Sequence, residues 1–181
     1  MATHRLEVNY LLVSGAGTAR RVPELLAQLI PHAPRSITVL TEHAHRVVSP
    51  RELALIPGHT IVESYFDEAI LPQPPHGVVL VAPCTFNSLN KLAHGIADTL
   101  ALSIAAEAIG RGTPVIVAVS VNTPLWNHPR ARQSVETLRS WGVDIIEPVS
   151  EGDYTTMASD QTIVDAVTAA WKLDASAVTL D

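Results

Sequence analysis

Cysteine is nearly absent from this chain: Cys84 stands alone among 181 residues, so no internal disulfide can form. A reducing compartment is the expected setting. Charge is also scarce. Asp, Glu, Lys and Arg make up 17% of the residues, against about 25% in an ordinary soluble chain. The twelve Lys and Arg residues are scattered, Arg20–Arg21 is the only adjacent pair, and the net charge is −6. That balance argues against nucleic acid as a main partner, because neutralising phosphates takes clustered cations. No apolar run approaches the roughly 18 residues of a membrane span. Residues Met1 to Glu7 lack the apolar core of a secretory signal. The expectation is a soluble, cytoplasmic protein that works without a membrane.

What the chain does have is apolar bulk. At 47% hydrophobic it can bury a full core, which excludes general disorder. Its length is that of one domain. Few charges on an apolar chain fit a homo-oligomer, since interface cores are depleted in Lys, Glu and Asp. A well-filled α/β core gives the same composition.

Strands and helices alternate along the sequence. Val8 to Val13, Ile37 to Leu40, Thr60 to Val62, Val78 to Ala82, Val115 to Val119 and Val143 to Ile146 read as short buried strands. Between them, Val22, Leu25, Leu26 and Leu29 mark one helix, and Ser49-Pro50-Arg51-Glu52 has the cap, proline and acid of a helix start. From Asn87 an apolar stripe of Leu89, Leu92, Ile96, Leu100, Ile104 and Ala108 predicts a long helix of about six turns. Pro129 to Trp141 and Gln161 to Leu173 predict two more. Pro72 to His76 is a proline-rich loop, and the polar stretch Val149 to Asp160 is a candidate mobile flap. Apolar strands separated by helices mean a parallel sheet covered on both faces. The fold expected is therefore α/β: a single-domain, doubly wound, Rossmann- or flavodoxin-like parallel sheet. Ligands of such sheets sit past the carboxyl ends of the strands, here near Ser14, Thr41, Ala82 and Ser120.

At the first of these ends, Ser14-Gly15-Ala16-Gly17-Thr18 runs into a helix. Its amides suit a phosphate, with Ser14, Thr18 and Thr41 as hydroxyl donors. A plain tight turn explains the same glycines, and Arg20 stands where a dinucleotide fingerprint has its third glycine. At the third end, Pro83-Cys84-Thr85-Phe86-Asn87-Ser88 is followed by Lys91-Leu92-Ala93-His94-Gly95-Ile96-Ala97-Asp98. This segment resembles the signature of the homo-oligomeric flavin-containing cysteine decarboxylases, a superfamily that includes phosphopantothenoylcysteine and peptidyl-cysteine decarboxylases. Pro83 and Asn87 match its Pro-Ala-Ser-Ala-Asn-Thr motif in identity, and Thr85 and Ser88 in kind. Val121-Asn122-Thr123-Pro124-Leu125-Trp126 resembles its substrate clamp.

The resemblance implies FMN as cofactor, with the phosphate on Gly15 to Thr18 and the ring along Pro83 to Asn87. Residues 1–173 then form the flavin-binding domain and 174–181 a flexible tail. It also implies trimers or higher homo-oligomers, and a small-molecule or peptide substrate bearing a carboxylate. Asn87 and Asn122 are the expected catalytic carboxylate donors, and Trp126 the further substrate contact. Asn87 serves equally well as a helix cap, Trp126 as core or interface, and Cys84 as a small buried apolar side chain. The implied reaction is flavin-dependent oxidation of a cysteine Cβ–S unit, followed by loss of CO₂.

Two family features are missing. The family histidine precedes the motif proline by about a dozen residues, where this chain reads Ala69-Ile70-Leu71-Pro72-Gln73-Pro74-Pro75-His76. His76 is too near the strand to match, and His59 lies too far back. The family's flap often carries a cysteine, whereas Gly152-Asp153-Tyr154-Thr155-Thr156-Met157 has none. A flavin-binding oxidoreductase or a non-catalytic flavin module is therefore the alternative. A flavin prenyltransferase comes third, needing a second phosphate site for which only Arg111, Arg130 and Arg132 are available.

Overall fold

The computed structural model describes residues 6–71, 73–74, 76–152 and 154–178, with side chains up to residue 173. In chain order the elements are β1 (Val8–Val13), a 3-10 turn (Gly17–Arg21), α1 (Val22–Leu29), β2 (Ser36–Leu40), α2 (Pro50–Leu53) and β3 (His59–Ile61). There follow β4 (Gly77–Cys84), α3 (Phe86–Ala93), α4 (Leu100–Arg111), β5 (Val115–Val119), α5 (Thr123–Trp126), α6 (Pro129–Ser140) and β6 (Asp144–Ile146). A hairpin, β7 (Val149–Glu151) and β8 (Tyr154–Thr156), precedes α7 (Asp160–Val178).

The six main strands lie in the order β3-β2-β1-β4-β5-β6, with every neighbouring pair parallel. The strands read as unbroken apolar runs because each side of the sheet has its own helical cover. Tyr10 and Leu12 of β1 pack with Leu89 and Leu92 of α3, Ile104 of α4 and Leu138 of α6. Leu11 and Val13, the alternate residues, pack with Leu25 and Leu26 of α1 and Ile163 and Val167 of α7. Period-two alternation thus distributes one strand between two cores. Each fully buried Leu or Val contributes roughly 1.5–3 kcal/mol. The expected doubly wound α/β architecture is the one observed.

The order also places the crevice. From β1 the chain winds outward through β2 and β3, then returns to the other side of β1 as β4 and continues through β5 and β6. Winding reverses between β1 and β4, and above such a switch point the flanking loops separate.

Several boundaries differ from the sequence expectation. The long helix after Asn87 is two helices. Gly95 adopts φ +68° beyond the end of α3, and the Thr99 hydroxyl restarts the chain as α4 by accepting the Leu102 N–H at 3.3 Å. Ile96, part of the apolar stripe, falls in this break and is 44% exposed. The stripe looked continuous because its spacing survives the interruption. The expected mobile flap contains a paired hairpin, β7–β8. Backbone helix continues past Leu173 to Val178, where a loose tail was expected. The proline-rich loop falls partly outside the described residues, at 72 and 75.

Candidate functional site: a cleft at the switch point

The exits of β1, β4 and β5, with the β7–β8 hairpin, enclose an open cleft of about 600 Å³. That is the size range of small-ligand and cofactor sites. Its wall at the β1 exit is Ala16, Gly17 and Thr18, joined by Arg20 and Arg21.

Ser14 fixes this exit to its neighbour. Its Oγ donates to the Pro83 carbonyl at 2.7 Å and accepts the Thr85 N–H at 2.9 Å, while its own N–H also reaches the Pro83 carbonyl. Ser14 is buried and joins β1 to the end of β4. Gly15 is required by close packing: a Cβ there would lie 2.5 Å from the Cβ of His43.

From the β4 exit come Thr85 and Phe86. Thr85 caps α3, accepting the Ser88 N–H at 3.3 Å and donating to the Ser88 hydroxyl at 3.0 Å. Phe86 meets the His128 ring edge-on, with centroids 5.4 Å apart.

From the β5 exit come Ser120, Val121 and Asn122. The Ser120 and Thr18 hydroxyls are hydrogen-bonded at 2.7 Å. Asn122 caps the short α5, its Oδ1 accepting the Leu125 N–H at 3.1 Å, so its amide nitrogen is left for a ligand. The hairpin closes the remaining side with Tyr154, Thr155 and Thr156. Thr155 latches it to α5 through Thr123 at 2.8 Å, and to its own partner strand through Ser150 at 2.9 Å.

Among the residues expected at a site, the cleft gathers Ala16, Gly17, Thr18, Thr85, Phe86 and Asn122. Seven others lie outside its lining. Ser14 and Pro83 hold the strand ends together, and Gly15 packs under His43. Thr41 faces a separate small cavity of about 10 Å³, shared with Leu12, Val81 and Leu102. Asn87 is exposed on the first turn of α3, whose cap is supplied by Thr85. Trp126 packs against the core. Cys84 is fully buried, and burial pushes its thiol up to about 12, so it behaves as an apolar filler.

Sequence reasoning named Ser120 only as a strand exit, Leu125 only within the clamp-like segment and the hairpin residues only as part of a flap, and it selected neither Arg20 nor Arg21 as a site residue. The arginines had only their adjacency.

Chemically the cleft is rich in hydroxyls and cationic. No His, Cys, Asp or Glu lines it among the described residues. His59 sits at the start of β3, bonded to the Thr38 hydroxyl and the Leu53 carbonyl, and His76 precedes the first residue of β4. Both lie at the far ends of their strands. His128, against Phe86, accepts the Arg130 N–H on Nδ1 at 3.0 Å. In its neutral form it therefore carries its proton on Nε2 and presents a donor.

Residues 4–172 match the family model described as Flavoprotein. The chain belongs to the Flavoprotein family. One similar protein is the coenzyme A biosynthesis bifunctional protein CoaBC of Thermococcus kodakarensis, 29% identical over 160 residues. The match takes in 85% of this chain but only 40% of that protein's length. Among solved structures of similar fold, a PPC decarboxylase mutant complexed with pantothenoylaminoethenethiol is 26% identical, with a TM-score of 0.77 over 93% of this chain and 100% of the other. The FMN-dependent cysteine decarboxylase SpaF is 27% identical, with a TM-score of 0.73 over 93% and 99%.

Proposed function

We propose that this chain binds FMN in the switch-point cleft and uses it in oxidative decarboxylation of a small carboxylate- and thiol-bearing substrate, of the phosphopantothenoylcysteine or peptidyl-cysteine type. The observation that carries this reading is the composition of the cleft: it joins the Ala16–Thr18 loop, the Thr85–Phe86 turn and Asn122, which the sequence had separately tied to phosphate, flavin ring and substrate carboxylate. Membership of the Flavoprotein family and likeness to an FMN-dependent cysteine decarboxylase support it.

The lining fits the group. Gly17 is open: a Cβ added there would meet nothing nearer than Arg20 Nη2 at 3.8 Å, so its backbone is accessible to a phosphate. The Thr18, Ser120 and Asn122 side chains supply donors, and Phe86 and Leu125 supply an apolar wall for a flat ring. Bound FMN would supply a two-electron acceptor for oxidation of the substrate's Cβ–S unit. Asn122 would hold the carboxylate through its free amide N–H groups, and the latched hairpin would limit water at that end. Asn87, exposed on the first turn of α3, and Trp126, on α5, lie outside the lining and are the further substrate contacts of this reading. We place the protein in the cytoplasm as a homo-oligomer, a trimer or larger; Leu55, Phe66 and Leu173, at 84%, 85% and 72% exposure, are apolar surface that association would cover.

Titrating the apoprotein with FMN tests the reading: flavin fluorescence should be quenched at micromolar protein, and no quenching overturns it. CO₂ and an enethiol product from phosphopantothenoylcysteine, or from a peptide ending in cysteine, test the reaction.

A second reading has its own observation. No His, Cys, Asp or Glu lines the cleft among the described residues, and Ala69, in the stretch where the family has its histidine, packs against the core. A flavin-binding module without catalysis follows. It predicts that FMN binds while neither substrate perturbs its visible spectrum.

A further inference from the structure

The two adjacent arginines of the cleft are used in opposite ways. Arg21 is consumed by structure: its guanidinium donates to Asp160 Oδ1 at 2.5 Å, to the Ala158 carbonyl at 2.8 Å and to the Met157 carbonyl at 3.3 Å. Arg20 makes a single such bond, from Nε to the Gly17 carbonyl at 2.8 Å. That bond folds the side chain back over the loop and leaves its terminal N–H groups without a partner among the described residues.

No carboxylate lines the cleft among the described residues, and Asp160 matches the charge of Arg21. Arg20 therefore leaves one uncompensated positive charge there, in a chain of net charge −6. Beside it on the lining are the Thr18 and Ser120 hydroxyls, 2.7 Å apart. One donates to the other, so the pair keeps one hydroxyl hydrogen for a ligand oxygen.

We propose that Arg20, with the Thr18–Ser120 pair, recognises a phosphate monoester in this cleft and sets a preference for phosphorylated over unphosphorylated ligands. A guanidinium offers two parallel N–H groups that fit two phosphate oxygens, and its advantage is greatest for a dianion. The phosphate has two possible sources, the flavin or the substrate. The proposal rests on the flavin reading above only for the identity of that ligand.

The test compares the wild-type protein with Arg20→Gln and Arg20→Lys. FMN and riboflavin are titrated by flavin fluorescence, and phosphopantothenoylcysteine and pantothenoylcysteine by calorimetry. A phosphate on the flavin predicts that Arg20→Gln weakens FMN about tenfold and leaves riboflavin unchanged. A phosphate on the substrate predicts the same selective loss for phosphopantothenoylcysteine, with both flavins unchanged. Arg20→Lys should keep part of the preference, through charge without the fork. Equal effects on phosphorylated and unphosphorylated ligands, or none on either, overturn the proposal.

Inorganic phosphate separates it from the flavin reading. If the wild-type protein binds no FMN, the flavin reading fails. Phosphate should then still raise the melting temperature of the wild-type protein and not that of Arg20→Gln; no difference between them overturns the role of Arg20 as well.

Discussion

The two ends of the central β1–β4 pair are both polar, yet one is open and the other filled. At the carboxyl end, short side chains bond across strand exits: Ser14 to the Pro83 turn, Thr18 to Ser120, Asn122 to the start of α5. These bonds span little distance, and the space above them is a cleft of about 600 Å³. At the amino end of β1 and β4, long side chains reach inward. Tyr65 donates to Glu107, which pairs with Arg111, and Arg111 also holds the Pro74 carbonyl. The space left beside Tyr10 in that network is about 10 Å³. Trp171 Nε1 donates to Asn9 Oδ1 at 2.6 Å, and Asn9 donates to the Leu29 carbonyl at 3.3 Å, tying α7 and α1 to β1. Short polar groups that bond between adjacent strand exits leave the space above them open, whereas long ones that reach across that space fill it.

The largest expected effect that sharpens this comparison comes from pH. Burial of Cys84 at the carboxyl end raises its thiol from about 9 to about 12. Below pH 9 the thiol is neutral in both states, and its full contribution to stability is present. Between 9 and 12 only the unfolded chain ionises, so stability should fall by about 1.4 kcal/mol per pH unit from this group. Urea unfolding at pH 8, 9, 10 and 11 should show little change from this group between 8 and 9 and that slope developing above 9 in the wild-type protein, with a shallower fall in Cys84→Ala. Equal slopes would mean that the thiol is accessible.

Next comes Ser14→Ala. It leaves the Thr85 N–H and one lone pair of the buried Pro83 carbonyl without their hydroxyl partner, at a cost of about 1–3 kcal/mol, readable as a lower urea midpoint. Because the same bonds position the cleft wall, FMN affinity should fall with stability. A loss of stability with unchanged flavin affinity would separate the two exits. Tyr65→Phe, at the amino end, should cost about 1 kcal/mol through its lost bond to Glu107 and leave ligand binding intact. A change in FMN affinity there would break the comparison.

The smallest effect is expected from Thr155→Val. It removes the hydroxyl that links the hairpin to α5, at about 0.5–1 kcal/mol. Hydrogen exchange of residues 149–156 should quicken while the rest of the sheet keeps its protection; uniform protection would mean that backbone pairing alone holds the hairpin.

Much of this molecule was legible in its residue pattern. The apolar runs at Val78 to Ala82 and Val115 to Val119 could only be strands covered on both faces, and their exits pointed to the cleft. Less legible was the division of labour within those exits. Ser14 and Thr41 have the chemistry of phosphate donors, but one is engaged by the Pro83 turn and the other faces an apolar cavity. Gly15 reads as an anion loop, although its neighbour in space is His43, 28 positions on. Arg20 and Arg21 look alike, and only the distant Asp160 distinguishes them. The break at Gly95 leaves no mark in the apolar spacing, which reports which residues are buried and not whether the backbone between them is continuous.

Local periodicity and composition by themselves determined the layers, the parallel sheet and the end of it that is chemically equipped, since both follow from which side chains must leave water. Which hydroxyls are spent on structure, which arginine stays free, and that the cleft wall lacks an imidazole, thiol or carboxylate among the described residues were decided by tertiary structure alone. Each depends on a partner far away in the chain, and a hydrogen bond is selective for distance and direction in a way that burial is not.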